Sequence, residues 1–74
     1  MDDNTTDCGT RVEVNGETRV VAIGTTIRAL LVQLQIPDER IAVELNRELL
    51  PRARFEQSLG TGDRIEIVTF VGGG

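Results

Sequence analysis

The stretch Arg64-Ile65-Glu66-Ile67-Val68-Thr69-Phe70, running straight into Val71-Gly72-Gly73-Gly74, decides how the rest of this chain is read. Ile65 and Ile67 alternate with Arg64, Glu66 and Val68, the period of a β-strand with one face turned to a core. The glycines past that rigid element make a thin, unbranched tether with a free carboxylate at its tip. Three glycines extend about 10 Å at roughly 3.3 Å per residue, far enough to enter a narrow channel in another protein. Without a Cβ they also adopt backbone angles and close approaches barred to other residues. A carrier whose working atom is its own C-terminal carboxylate fits this ending, and so does a frayed terminus without a role.

Upstream of that strand, Gly60-Thr61-Gly62-Asp63 reads as a turn, and Arg52 to Leu59 as a short helical turn packing Phe55 and Leu59. Ile41, Val43 and Leu45 alternate with Ala42, Glu44 and Asn46 as a strand. Asn46-Arg47 turns the chain into a short Glu48-Leu49-Leu50 strand closed by Pro51. Before these, Thr25 or Thr26 caps a helix of about ten residues in which Ile27, Leu30, Leu31 and Leu34 follow i, i+3, i+4, i+7. Neither cap has Glu or Gln at N3, so there is no capping box. Pro37 pushes Ile36 out of helical space and ends the helix. Thr10-Arg11-Val12-Glu13-Val14 has period two, and Asn15-Gly16 is a strong hairpin signal because both positions tolerate positive φ. Glu17 to Ile23 is the returning strand, broken by Gly24, although Val20-Val21 blurs which side faces inward.

The order is ββαββ, a short turn, then β. One amphipathic helix over one face of a mixed four- to five-stranded sheet supplies the two layers a domain needs. With the first and last strands side by side at the centre, the class is α+β and the arrangement a β-grasp. Residues 1–9 read as a disordered arm with almost nothing to bury, residues 10–71 as the domain, and residues 72–74 as the glycine tail.

Seventy-four residues make one domain near the lower limit for folding without metals or disulfides. No stretch of 18 apolar residues spans a membrane, and the polar start lacks the apolar region of a secretory signal, so a cytoplasmic address is expected. Cys8, the single cysteine, forms neither an internal disulfide nor a zinc site, and the absence of histidine excludes imidazole chemistry. Two phenylalanines without tyrosine or tryptophan make a poor stacking platform for single-stranded nucleic acid. The net charge of -4 argues against phosphate backbones and favours a partner with a basic surface. Every basic residue is arginine, so an activated acyl tail has no lysine in its own chain to capture it.

Several local features have bland readings. Gly60-Thr61-Gly62 fails the dinucleotide pattern, since Ile65 stands where its third glycine belongs and a strand follows. Cys8 sits beside Asp7 with no base to lower its pKa and reads as inert. Asp38, Glu39 and Glu44 read as solvated carboxylates. Arg47, Arg52 and Arg54 form either a solvated rim or a docking patch for an acidic partner. Val68 and Phe70 stand out, because the strand's alternation turns them to the uncovered face of the sheet, beside the tail. Packing under the arm is one account of that position and a docking surface the other.

Asn15-Gly16, Thr26-Ile27 with Leu30-Leu31, Ile41-Ala42-Val43-Glu44-Leu45-Asn46, Leu50-Pro51-Arg52, Gly62 to Val68 and Val71-Gly72-Gly73-Gly74 together resemble the ThiS family of thiamine-pathway sulfur carriers, over about residues 11 to 74. The resemblance implies a ubiquitin-like β-grasp and a carrier rather than an enzyme, with no bound cofactor. It implies that Gly74, preceded by Gly73, is adenylated by an ATP-dependent, ubiquitin-activating-like enzyme. Sulfur from a cysteine-desulfurase persulfide would displace AMP, and the resulting thiocarboxylate would serve thiazole synthase. Val68, Phe70, Val71 and Gly72 would dock the partners. Phe55 stands where the family usually has tryptophan, and the acidic arm is longer than in most relatives. The small subunit of molybdopterin synthase shares this chemistry but typically carries a proline pair where Thr69-Phe70 stands here. A non-covalent β-grasp interaction module, or a modifier of target lysines, remains open from the residues alone.

Overall fold

The computed structural model describes residues 9–70. They form β1 (Gly9–Val14), β2 (Glu17–Ala22), α1 (Ile27–Gln33), β3 (Ile41–Leu45), β4 (Glu48–Leu50), a 3-10 turn (Arg52–Arg54) and β5 (Arg64–Thr69). The sheet order is β2-β1-β5-β3-β4. β1 and β5 run parallel at its centre, and the other neighbours are antiparallel. This is the mixed β-grasp sheet that the alternation of strands and helix predicts.

β1 starts one residue earlier than expected, at Gly9, which pairs with Ala22. A Cβ at Gly9 would clash with Val20 Cγ1, so the missing side chain lets the hairpin close there. Residues 1–8, the rest of the expected arm, and residues 71–74 lie outside the described residues. β2 stops at Ala22 and leaves Ile23 exposed. At the hairpin tip Asn15 (φ 49) and Gly16 (φ 87) are both left-handed, as a two-residue turn matched to strand twist requires. Asn46 (φ 52) and Arg47 (φ 73) build the same geometry between β3 and β4 without any glycine.

Thr26 is the helix cap, its hydroxyl accepting the Ala29 amide at 3.0 Å. Thr25 instead donates its hydroxyl to the Ala22 carbonyl at 2.6 Å. The helix has 7 residues, shorter than expected, and Pro37 is not what stops it. Gln35 takes φ 59, its amide donating to Val32 O at 3.0 Å while Ile36 donates to Leu31 O at 2.9 Å. That paired closure is a Schellman motif, completed at the residue before the proline with Gln35 in the usual glycine position.

The expected helical turn over residues 52–59 is helical only at Arg52–Arg54. Beyond it the backbone opens to serve α1: Gln57 O accepts the Ile27 amide at 3.1 Å, Phe55 O accepts Arg28 at 2.9 Å, and Leu59 donates to Thr25 O at 2.8 Å. These carbonyls satisfy helix-terminal amides that have no partner within the helix. Phe55 and Leu59 are buried, as expected. They join Ile27, Leu30 and Leu31 from α1 and Val12, Val14, Val43, Ile65 and Ile67 from the sheet, with Val21 and Leu50 closing the edges. Leu34, Ile41 and Leu45 pack partly buried around this core.

Candidate functional site at the end of the last strand

β5 is held along both edges, and two asparagines of the hairpin turns do much of the holding. On one side β3 pairs with it from Leu45↔Ile65 to Ile41↔Thr69. On the other, β1 contributes Glu13↔Arg64 and Val14↔Ile65. Asn15 then prolongs that ladder: its amide donates to Ile65 O at 2.9 Å, and its side-chain Oδ1 accepts the Ile67 amide at 2.7 Å. Asn46 does the same at the strand's start. Its amide donates to Arg64 O at 2.7 Å, its Oδ1 accepts the Arg64 amide at 2.9 Å, and its Nδ2 donates to Asp63 Oδ1 at 3.0 Å. Sequence reading placed both asparagines in turns and missed these side-chain roles. The available signal was that asparagine, unlike glycine, keeps an acceptor in a left-handed position.

The strand delivers its end to a defined place. Phe70 donates its amide to Arg40 O at 2.8 Å, one residue past the Ile41↔Thr69 pair. Val68 and Phe70 face away from α1, 50% and 57% exposed, as the alternation predicts. Ala42 lies opposite Val68. Of the other expected docking and working residues, Val71, Gly72, Gly73 and Gly74 lie outside the described residues, as does Cys8.

The border of this apolar patch along the strands is acidic. Glu66, two residues from Val68, pairs directly with Glu44, and Glu44 pairs in turn with the exposed Leu49. The expected arginine cluster is divided: Arg47 sits at the opposite end of β4 from Arg52 and Arg54, lining a shallow depression with Asn46, Gly62 and Arg64. Arg52 donates to the Asp38 carbonyl.

Asp38 is not the free carboxylate expected of it. Arg28 Nη1 donates to its Oδ2 at 2.8 Å, and Arg28 Nε donates to Glu56 Oε2 at 2.6 Å. The Glu56 hydrogen bond, and after it the Asp38 one, push the Arg28 pKa up from its ordinary value. Gly60-Thr61-Gly62 is the turn it was expected to be, with Asp63 Oδ2 accepting the Gly60 amide at 2.7 Å and Gly62 donating to Arg11 O at 2.8 Å. No helix among the described residues is long and apolar enough to cross a membrane. Chemically, the arrangement offers another protein an anchored strand end beside an apolar face.

Comparison with known proteins points the same way. The model of the ThiS family matches residues 9–74. The chain is 44% identical over 50 residues to the sulfur carrier protein ThiS of Bacillus subtilis, covering 66% of this chain and 76% of that one. It is 38% identical over 65 residues to a thiazole synthase of Paramagnetospirillum magneticum, covering 86% of this chain. It spans 20% of the length of that protein, and the same share of a second thiazole synthase, from Magnetococcus marinus. The crystal structure of a thiamine biosynthesis protein (ThiS) from Geobacter metallireducens superposes with a TM-score of 0.74 at 35% identity, covering 88% of this chain and 100% of that one.

Proposed function

Since this chain belongs to the ThiS family, we propose that it is a sulfur carrier of thiamine biosynthesis that works through the carboxylate of Gly74. The observation that carries the reading is the anchored end of β5: the last strand is fixed on both edges up to Ile67 and along the β3 edge up to Phe70, and Val71 to Gly74 follow. Four residues of extended backbone would reach about 13 Å at roughly 3.3 Å each. That length suits insertion into a partner's active site while Val68 and Phe70 dock on its surface.

A carboxylate is a poor electrophile, so the partner first has to turn it into a mixed anhydride with a good leaving group. In an ATP-dependent activating enzyme, the Gly74 carboxylate attacks the α-phosphate and pyrophosphate departs, leaving an acyl adenylate. A persulfide sulfur, of the kind a cysteine desulfurase carries, then attacks the carbonyl carbon and AMP departs. A second thiol cleaves the acyl disulfide and releases the thiocarboxylate. ATP is thus consumed by the activating enzyme, and this chain is its co-substrate, with no cofactor of its own. Held as an acyl group, the sulfur does not diffuse away as sulfide, and docking contacts decide which enzyme receives it.

Thiazole synthase is the recipient we assign. A segment like this chain forms part of proteins named thiazole synthase, and joining two activities in one polypeptide raises the effective concentration of each for the other. Val68, Phe70, Val71 and Gly72 serve docking, Gly73 gives the tail its narrow section, and the reactions run in the cytoplasm. Complementation tests the assignment: the gene should rescue a thiamine-requiring strain that lacks its own carrier. Rescue of a molybdenum-cofactor-deficient strain instead would move it to the molybdopterin pathway, and rescue of neither would favour a non-covalent module.

A further inference from the structure

Asp38 lies in the connection between α1 and β3, and both its side chain and its backbone are held. Arg28 Nη1 donates to Asp38 Oδ2 at 2.8 Å, and Arg52 Nη2 donates to the Asp38 carbonyl. Arg28 is itself fixed, by Glu56 at 2.6 Å and by its position 5.8 Å from the centre of the buried Phe55 ring. Two residues after Asp38, Arg40 takes a left-handed φ of 59 and directs its carbonyl to the Phe70 amide at 2.8 Å. A side-chain-bearing residue keeps such a backbone angle where its surroundings determine it. Around Arg40 those surroundings are the doubly held Asp38 on one side and β3 on the other.

We propose that Asp38 is a positioning residue, which, braced by Arg28 and Arg52, holds the Arg40 carbonyl against Phe70 and so sets the point from which the C-terminal residues reach into a partner. The proposal rests on the reading of Gly74 as the working group. If the brace is lost, the Phe70 amide is released from the Arg40 carbonyl, the reach grows by about 3.3 Å, and the strand end loses its fixed direction. The activating enzyme then has to order that residue on binding, which raises KM. Once the tail is seated the chemistry is the same, so kcat holds.

The test uses the full chain and Asp38→Ala, which removes the Arg28 contact and keeps the carbonyl that Arg52 holds, with amide hydrogen exchange at Phe70 and Ile67 and steady-state adenylation by the activating enzyme of the same pathway. Asp38→Ala should speed Phe70 exchange by about tenfold and leave Ile67 unchanged, the mark of a local opening. It should raise KM about fivefold with kcat within about twofold. Adding Arg28→Ala should change little more, because the two residues act as one unit. Unchanged Phe70 exchange overturns the proposal, as does faster Phe70 exchange with an unchanged KM. Exchange quickened equally at Ile67 also overturns it, since Asp38 would then serve global stability. Wild-type protein that accepts no adenylate contradicts the carrier reading instead, and the exchange comparison then upholds or overturns the brace by itself.

Discussion

Asn15 Oδ1 accepts the amide proton of Ile67 at 2.7 Å, joining the first hairpin turn to the last strand across 52 residues of sequence. The bond exists because a left-handed residue at the turn (φ 49) aims its side chain along the neighbouring strand. A parallel strand pair with two registered residue pairs is thereby lengthened, and the strand that leads to the C-terminus is fixed just ahead of Val68 and Phe70.

Replacing Asn15 separates its two jobs. Asn15→Gly keeps the left-handed angle but leaves the Ile67 amide without an acceptor, and should lower stability by about 1–3 kcal/mol. Asn15→Asp keeps an acceptor and should recover most of that loss. Urea denaturation of the two variants checks the difference, and equal stabilities would show that Asn15 serves the turn alone.

Thr26 rather than Thr25 caps the helix, so Thr26→Ala should cost about 1 kcal/mol and Thr26→Ser much less. Thermal unfolding of both proteins makes the comparison.

Glu44 and Glu66 stand directly opposite each other in the β3–β5 ladder, and like charges so placed are destabilising. Glu44→Thr should raise stability by roughly 0.2–1 kcal/mol, with the gain shrinking as salt is added. Chemical denaturation at low and high ionic strength measures both effects. A gain that did not respond to salt would point to packing.

Phe70 is 57% exposed, so Phe70→Ala should leave the unfolding midpoint nearly unchanged. Binding to the activating enzyme should weaken by more than about 1 kcal/mol if Phe70 anchors the dock. Titration calorimetry on the wild type and the variant decides it.

Much of this was legible in the residues. Period-two alternation in Arg64 to Val68 and in Thr10 to Val14 fixed which side of each strand faces α1, and the spacing of Ile27, Leu30 and Leu31 located the helix. What escaped was backbone geometry that glycine or proline usually announces. Gln35, Arg40 and Arg47 all take positive φ, an angle tertiary contacts impose on residues with no preference for it. Residues 55–59 escaped for a related reason: their carbonyls are drawn to the helix amides, a long-range demand that a short apolar pattern does not encode. At the candidate site, the exposure of Val68 and Phe70 followed from alternation, whereas the acidic border and the Asp38 ion pair depend on strand register and loop path.

Intact-mass measurement on two proteins tests the central claim most directly. The native chain and a version with one uncleaved residue added after Gly74 would each be incubated with ATP, the activating enzyme and a persulfide donor. The account predicts that the native chain gains the mass of one oxygen-for-sulfur exchange and that the extended chain stays unmodified. An extended chain that acquires the sulfur as readily as the native one would contradict it.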